Sequence, residues 1–244
     1  MKAMILAAGH GTRLQPLTNN KPKALVEIKG VPLLEIIINR LIKFGFKDVI
    51  INVHHCAEQI IAFLSVNKNF GINIQISDEK QQLLETGGGI MHAKWFLNGI
   101  DPFLVYNVDI LSDIDLSALV EFHVKNNSVA TLAVQERETT RQILFDNENN
   151  LCEWRNVQTG KRKISREPVG NLKPLAFSGI HVLSPDIFNL IEEKGAFSIM
   201  DVYLRLAKNY SIKAFDHSHT KWFDLGRYEH VLDFNALENL DFLK

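Results

Sequence analysis

The sequence has few cysteines and opens on a short apolar segment. Cys56 and Cys152 are the two cysteines among 244 residues and lie far apart, so they cannot form the disulfide framework of a small secreted protein. The apolar stretch at residues 3–8 has the length of a strand, too short for a signal peptide or a membrane span. We therefore expect two reduced thiols, no membrane association and a cytoplasmic location.

The sequence also lacks an excess of either charge. Its 27 Lys and Arg residues nearly balance its 28 Asp and Glu residues, and the formal net charge is −1. No field of the whole molecule points to nucleic acid or an acidic membrane surface, so a bound phosphate must be held by local donors. Because 46% of the residues are hydrophobic and no repeat or linker is evident, we expect a globular chain. We predict one domain over 1–244, with a nucleotide-binding half at about 1–125 and a sugar-binding half at about 126–244.

The first half alternates patterns of buried strands with patterns of amphipathic helices. An apolar strand at 3–8 ends at Gly9, and helical spacing at 33–44 ends at Gly45. The order β-α-β-α predicts a parallel or mixed sheet covered by helices on both faces. Further strands are predicted at 47–53, 72–76, 103–107, 129–134, 141–145, 151–154, 175–183 and 222–225, and further helices at 58–64, 90–97, 185–193, 202–208 and 228–240. Ligands in such sheets bind beyond the carboxyl ends of the strands, where the Gly9 loop and Asp109 both fall.

The loop after the first strand has the composition of a phosphate-binding loop. Gly9 and Gly11 allow backbone N–H groups to approach a phosphate, and Arg13 and Lys23 add positive charge. The loop is neither a Rossmann fingerprint, which needs a third glycine where Leu14 stands, nor a Walker loop, which ends in Gly-Lys-Ser/Thr. The alternative is a surface turn followed by solvated basic residues.

Two aspartates provide the chemistry of a magnesium site. Mg²⁺ takes hard oxygen ligands, usually one or two carboxylates completed by phosphate oxygens and waters. Asp109 follows the predicted strand 103–107, and Asp224 lies in a short strand flanked by aromatic residues. Either one alone would more often be a turn or capping residue, so the prediction depends on the pair.

The segment Leu6–Thr18, followed by Pro22-Lys23-Ala24-Leu25, resembles the signature of the sugar-1-phosphate nucleotidylyltransferases. Four further segments of the chain match the same pattern; they are residues 85–89, 107–109, 177–179 and 222–226. The resemblance implies a Rossmann-like three-layer α/β/α sandwich with a mixed, mainly parallel sheet, the nucleotide-diphospho-sugar transferase fold. It also implies Mg²⁺-assisted transfer of a nucleoside monophosphate from a nucleoside triphosphate to a sugar 1-phosphate. Longer relatives add a C-terminal β-helix, which we do not expect here.

The resemblance and the residue chemistry together give four sets of site residues. These are a catalytic pair, Arg13 and Lys23; nucleotide-binding residues, Ala8, Gly9, Gly11, Thr12, Arg13, Lys23, Glu85, Gly88 and Asn107; metal ligands, Asp109 and Asp224; and sugar-binding residues, Ser178, Gly179 and Asp201. The plain alternative for the run Gly87–Gly89 is a flexible turn.

Some features depart from the family pattern or have more than one interpretation. Val108 replaces a small residue, Arg227 follows Gly226 where Thr is common, and a sugar-binding Glu-Lys-Pro is not evident.

The short enzymes acting on N-acetylmuramate 1-phosphate or mannose 1-phosphate are the most similar branch, so UTP is favoured, with GTP as the alternative. Their products would serve cell-envelope polysaccharides. Rival functions are a non-catalytic nucleotide-sugar-binding subunit and transfer to a non-sugar acceptor such as phosphocholine. The oligomeric state is not predicted.

Two segments are given structural interpretations. The segment His54-His55-Cys56 invites a metal interpretation, but neighbouring residues at the end of a strand point in opposite directions and no second ligand cluster follows at zinc-like spacing. The basic segment 161–163 lies in a stretch, 156–173, that is predicted to be an exposed, solvated loop, with phosphate contact as the alternative for its basic residues.

Overall fold

The computed structural model describes residues 1–237. Its strands are β1 (Lys2–Leu6), β2 (Glu27–Ile28), β3 (Val31–Pro32), β4 (Asp48–Val53), β5 (Asn73–Asp78), β6 (Phe103–Asn107), β7 (Ile110–Ser112), β8 (Ala130–Gln135), β9 (Arg141–Phe145), β10 (Leu151–Asn156), β11 (Arg162–Ile164), β12 (Lys173–Leu183), β13 (Ile212–Asp216) and β14 (Trp222–Asp224). Its helices are α1 (Leu33–Lys43), α2 (Ala57–Val66), α3 (Glu85–His92), α4 (Lys94–Leu97), α5 (Leu116–Lys125), α6 (Ile187–Leu190), α7 (Ile199–Leu206) and α8 (Tyr228–Ala236). Short 3₁₀ turns occur at Thr12–Leu14, Lys23–Leu25 and Lys68–Gly71.

The central sheet is mixed. Strand β1 pairs in parallel with β4 and β6, β4 with β5, and β13 with β8. The long strand β12 is antiparallel to both β6 and β8, and its first residues pair with β9. Strands β9, β10 and β11 form an antiparallel extension of the sheet. Two small sheets, β2–β3 and β7–β14, lie outside it.

Helices cover both faces of this sheet, as the alternation within β1 shows. Ala3 and Ile5 belong to one hydrophobic core, while Met4 and Leu6 belong to another, because successive strand residues point to opposite faces. Helices α1, α2, α5 and α8 contribute to the first core, and α3, α4, α6 and α7 to the second. The three-layer α/β/α prediction is therefore confirmed.

Several predicted boundaries were wrong. The stretch 156–173 is not one exposed loop, because β11 lies within it and pairs with β10. Strand β13 was not predicted, although its burial alternates and it pairs along its whole length with β8. Helix α6 spans four residues instead of the predicted 185–193. Helix α8 ends at Ala236, and residues 238–240 of the predicted C-terminal helix lie outside the described residues.

The helix predicted at 90–97 begins earlier. Helix α3 starts at Glu85 and includes all three glycines of the run Gly87–Gly89. A second short helix, α4, follows after Ala93. Within residues 1–237, none of the helices combines the length and hydropathy that crossing a membrane requires.

Candidate active site

The glycine loop leaves the carboxyl end of β1 and turns back sharply at Gly11. This residue has φ 65°, in the left-handed region that glycine adopts without strain. Its carbonyl accepts hydrogen bonds from the Leu14 N–H (2.8 Å) and the Thr18 hydroxyl (2.8 Å). A Cβ at Gly11 would lie 3.0 Å from Thr18 Cγ2 and 3.2 Å from Lys23 Cβ, so the close approach of the two segments also requires glycine. The loop is thus folded by local contacts that bring Lys23 back to it.

Lys23 joins this loop to the end of β6. Its Nζ lies 2.8 Å from Asp109 Oδ2, and both side chains are largely shielded from solvent, with 15% and 10% exposed. The same ammonium is 3.9 Å from the position that a Cβ of Gly9 would occupy. Between Asn107 and Asp109, the Val108 side chain is fully buried in the first core, so its bulk points away from the site.

The second aspartate reaches the site through the two-stranded sheet β7–β14. Asp224 pairs with Ile110, the residue after Asp109, and the Leu225 N–H donates to the Asp109 carbonyl (2.8 Å). Asp224 Oδ1 accepts from the Gly226 N–H at 2.8 Å. The strand pairing therefore brings together two carboxylates that are remote in the sequence.

Gly226 marks the point where the charged groups converge. A Cβ built there would lie 2.6 Å from Asp109 Oδ2, 2.8 Å from Asp224 Oδ1 and 3.3 Å from Arg13 Nη2. Both carboxylate oxygens therefore lie within 2.8 Å of a single point, and the Arg13 guanidinium is adjacent to it. The structure thus brings Arg13, Lys23 and both aspartates, four of the predicted site residues, together in one cluster.

The donor set fits a magnesium ion. Two hard carboxylate oxygens on one side match the one or two carboxylates that Mg²⁺ usually takes, with phosphates and waters as the other ligands. No grouping of three or more His, Cys, Asp or Glu side chains suited to a metal exists in the part of the chain that the structure describes. A cation at Asp109 and Asp224 would therefore depend on ligands from substrate and solvent.

A cavity of about 680 Å³ opens beside this cluster. Its volume lies within the roughly 300–1,000 Å³ of small-molecule sites. The lining residues come from both halves of the chain and are Leu6, Arg13, Thr86, Asn107, Arg137, Thr139, Thr140, Arg141, Ile143, Trp154, Lys163, Phe177, His181, Ser198, Ile199, Met200, Asp201, Leu204, Asp224 and Arg227. Five cations against two carboxylates make the cavity suitable for an anionic ligand.

An aromatic ring and a backbone carbonyl anchor Arg137, one of these cations. Its guanidinium lies 3.8 Å from the centroid of the Trp222 ring, and Nη2 donates to the Phe177 carbonyl (2.8 Å). Burial lowers the pKa of Arg137, and the nearby charge of Asp224 partly opposes that shift. The Trp222 indole N–H donates in turn to the Ser178 carbonyl (2.9 Å). Stacking and hydrogen bonds thus fix Arg137 toward the Asp224 end of the cavity.

The predicted glycine segment has a packing role in the structure. A Cβ at Gly87 would lie 2.4 Å from the Phe197 ring, and one at Gly88 would lie 2.4 Å from the Gly195 carbonyl oxygen. The N–H groups of both glycines point to the Phe197 carbonyl. The glycines therefore allow α3 to pack closely on the segment before α7. Thr86 lines the cavity, whereas Gly88 and the exposed Glu85 do not.

The three predicted sugar-binding residues have different surroundings. Ser178 is fully buried and its hydroxyl lies 2.8 Å from His217 Nε2, so this side chain does not line the cavity. Gly179 has φ 75°, and a Cβ there would lie 2.9 Å from Asn107 Nδ2. The lack of a side chain at Gly179 therefore leaves room for the Asn107 side chain. Asp201 does line the cavity and forms an ion pair with Lys163. The remaining predicted loop residues, Ala8 and Thr12, lie at the end of β1 and the start of the first 3₁₀ turn.

His181 is a cavity residue that the sequence did not indicate. It is 1% exposed, its Nδ1 lies 3.2 Å from the Tyr203 hydroxyl, and its Nε2 has no hydrogen-bond partner. Burial lowers its pKa to about 3, so the ring is neutral at ordinary pH. Its ring stacks on Phe177 with centroids 5.4 Å apart.

The histidines after β4 lie close to the glycine loop. The His10 ring centroid is 5.2 Å from that of His54 and 5.9 Å from that of His55. Cys56 Sγ lies 3.3 Å from His55 Nε2. These contacts are ring and thiol packing.

Other cavity residues were missed because they depend on strand register. Arg141 and Trp154 lie on neighbouring antiparallel strands, and period-two alternation on each strand could have indicated a common face. The sequence does not state which strands are neighbours, so the cavity could not be assembled from it.

The chain is similar in sequence to known nucleotidyl transferases. The model of the nucleotidyl transferase family matches residues 2–239. The chain is 34% identical over 215 residues to N-acetylmuramate alpha-1-phosphate uridylyltransferase of Caulobacter vibrioides, covering 84% of each chain. It is 31% identical over 243 residues to mannose-1-phosphate guanyltransferase of Yarrowia lipolytica, covering 97% of this chain and 64% of that protein.

A solved structure has the same fold. The crystal structure of HddC from Yersinia pseudotuberculosis complexed with GMP-PN superposes with a TM-score of 0.75 at 22% identity. The match covers 96% of this chain and 97% of that chain.

Proposed function

The chain belongs to the nucleotidyl transferase family, and from this we propose that it transfers a nucleoside monophosphate from a nucleoside triphosphate to a sugar 1-phosphate. The products are a nucleotide sugar and pyrophosphate. The observation that carries this proposal is the convergence of Arg13, Asp109 and Asp224 on the point next to Gly226, at the edge of a cavity large enough for a sugar phosphate.

The reaction needs positioning and charge neutralisation more than covalent help. A phosphate oxygen of the sugar 1-phosphate attacks the α-phosphorus, a new P–O bond forms, and the bond to the pyrophosphate oxygen breaks with its electron pair. The loop at Gly9 and Gly11 offers backbone N–H groups for the triphosphate. Arg13 neutralises the departing pyrophosphate, and Lys23, next to Asp109, holds phosphate oxygens at the reacting centre.

We propose that Asp109 and Asp224 hold Mg²⁺ when substrates bind. Bound there, the ion would supply positive charge that stabilises phosphate oxygens during transfer. The Gly226 N–H orients the Asp224 carboxylate, and the Lys23 ammonium orients that of Asp109. The presence of these four groups together with Arg13 supports catalysis over the rival of a non-catalytic binding subunit.

The relatives support a choice of substrates. We propose UTP as the donor and an N-acetylmuramate-type sugar 1-phosphate as the acceptor, because the uridylyltransferase of Caulobacter vibrioides is matched over 84% of both chains. GTP with mannose 1-phosphate is the alternative, since the guanyltransferase of Yarrowia lipolytica is matched at 31% identity. With the first choice, we propose that the chain acts in the cytoplasm and that its product is used to make cell-envelope polysaccharide.

Pyrophosphate release tests the proposal directly. The chain would be mixed with Mg²⁺, each of the four common nucleoside triphosphates, and a panel of sugar 1-phosphates with phosphocholine as a non-sugar acceptor. We expect release in a few combinations led by UTP, and none when Mg²⁺ is replaced by a chelator. Silence with every sugar phosphate, from folded protein that binds nucleotide, would refute the transfer reaction. A signal with phosphocholine alone would refute the sugar acceptor.

A further inference from the structure

One wall of the cavity is built by the antiparallel strands β9, β10 and β11. Trp154 on β10 lies directly opposite Ile143 on β9 and Lys163 on β11. Arg141 lies two residues before Ile143 and therefore on the same face of the strand. All four residues line the cavity, and we call them the β9–β11 wall. It presents an apolar surface of indole and isoleucine between two cations.

Most of the cavity cations have partners or belong to the reacting end. Arg13 lies beside the two aspartates, and Arg137 is held by Trp222 and the Phe177 carbonyl. Arg227 follows Gly226 directly, and so lies at the same end of the cavity.

The two cations of the β9–β11 wall, Lys163 and Arg141, differ in whether a carboxylate neutralises them. Lys163 is neutralised by its ion pair with Asp201 on α7. Within residues 1–237, no carboxylate forms an ion pair with the Arg141 guanidinium. Arg141 is therefore the uncompensated cation of this wall.

Arg141 is also separated from the reacting end by β12. Leu175 on β12 pairs with Ile143, so continuing the register places Phe177 beside Arg141. The Phe177 carbonyl accepts a hydrogen bond from Arg137. The nearby charge of Asp224 partly opposes the lowering of the Arg137 pKa by burial, so Arg137 belongs to the Asp224 end. Arg137 and Arg141 thus flank Phe177 on opposite sides, and an acceptor phosphate at the Asp224 end leaves Arg141 available for another group.

We propose that Arg141 is a specificity-determining residue that binds a second anionic group, a carboxylate, on the acceptor sugar. The inference rests on the proposed transfer function and narrows its acceptor to acidic sugar 1-phosphates. The guanidinium can bind a carboxylate with two parallel hydrogen bonds, and the hydroxyls of Thr139 and Thr140 at the cavity surface can add donors. The sugar ring packs on the apolar surface of Trp154 and Ile143.

Paired acceptors that differ in one carboxylate test this inference. N-acetylmuramic acid 1-phosphate carries a lactyl carboxylate that N-acetylglucosamine 1-phosphate lacks. We expect Arg141→Gln to lower kcat/KM for the acidic acceptor by about 10- to 100-fold, the range for losing hydrogen bonds to a charged group. We expect the value for the neutral acceptor to change by less than about threefold. Arg141→Lys should restore only part of the loss, because an ammonium cannot make the bidentate pair.

Arg155→Gln is the matched control. Arg155 lies on β10 next to Trp154, points to the opposite face and donates a hydrogen bond to Gln142 (2.7 Å). The substitution therefore removes the same charge from the same hairpin, but outside the cavity. An equal loss for both acceptors in Arg141→Gln would assign Arg141 to the phosphate and overturn the inference. An unchanged preference between the two acceptors would also overturn it.

Calorimetric binding of the two sugar phosphates separates this inference from the proposed function. Tighter binding of the acidic compound that is lost in Arg141→Gln supports the carboxylate site even if no pyrophosphate is released, an outcome that would refute only the transfer reaction. Equal binding of both compounds to the unaltered chain refutes the carboxylate site, even if transfer to the neutral acceptor is rapid.

Discussion

A methyl group at Gly226 should block the centre of the active site. Gly226→Ala adds one carbon 2.6 Å from Asp109 Oδ2 and 2.8 Å from Asp224 Oδ1, both below the shortest contacts that real Cβ atoms make. The φ of Gly226 lies outside the left-handed region, so alanine brings no backbone strain. Its effect should therefore come from the contact with the carboxylates.

The expected size of the effect follows from these distances. To reach an ordinary contact of about 3.3 Å, the Asp109 carboxylate must retreat by about 0.7 Å and that of Asp224 by about 0.5 Å, at or beyond the roughly 0.5 Å tolerance of a working site. A misplacement of about 1 Å costs about 10²-fold in rate, so with both carboxylates moved we expect kcat/KM to fall by about 10²-fold or more. Overpacking costs about 1–3 kcal/mol of stability, a fall in Tm of about 10 °C or less.

Pyrophosphate release over a range of Mg²⁺ concentrations is the assay, with thermal unfolding followed in parallel. If the methyl crowds the cation site, higher Mg²⁺ should restore part of the activity. Gly99→Ala is the control, because its nearest neighbour would be Lys2 Nζ at 3.8 Å, and it should leave activity unchanged. Activity of Gly226→Ala within threefold of the unaltered chain would refute the placement of the cation between the carboxylates.

Three further predictions address other parts of the molecule. Asp109→Asn removes the carboxylate that pairs with Lys23, and we expect turnover to fall by at least about 10²-fold in a chain whose circular dichroism is unchanged; near-normal turnover would contradict the metal assignment. Gly88→Ala places a Cβ 2.4 Å from the Gly195 carbonyl, so urea unfolding should show a loss of about 1–3 kcal/mol, and an unchanged midpoint would contradict the packing role. Burial lowers the pKa of His181 to about 3, below its unfolded value of about 6.5, so the unfolded chain binds the extra proton first and stability falls as pH drops from about 6.5 toward 3. His181→Gln should flatten this fall in acid unfolding curves, and identical pH profiles would exclude the histidine as a contributor.

The turn of the glycine loop could be predicted from the sequence because its geometry is local. The turn at Gly11 and the return of Lys23 occur within one short segment, where φ, chain length and charge limit the possible arrangements. Asp109 could be predicted for a related reason, since it follows a strand whose carboxyl end lies at the binding edge of any such sheet.

The surroundings of the glycine run Gly87–Gly89 and of Ser178 could not be predicted from the sequence. A Gly-rich segment is compatible with both ligand contact and close packing, and the choice depends on what lies opposite. For Gly87 and Gly88 the partner is the segment 195–197, more than a hundred residues away. For Ser178, the shift in register between β12 and β8 around Gly179 accompanies burial of its hydroxyl against His217.

The sequence by itself determined the layered α/β architecture, the turn of the glycine loop and the chemical types of the clustered side chains, because hydrophobic periodicity, glycine conformation and side-chain charge are properties of short segments. Tertiary structure decided which groups meet. Pairing of β7 with β14 brings Asp224 to Asp109, and the register of β9 with β10 sets Arg141 and Trp154 on one wall. Such pairings depend on contacts between segments that are distant in the sequence, so strand neighbours and register could be read only from the folded structure.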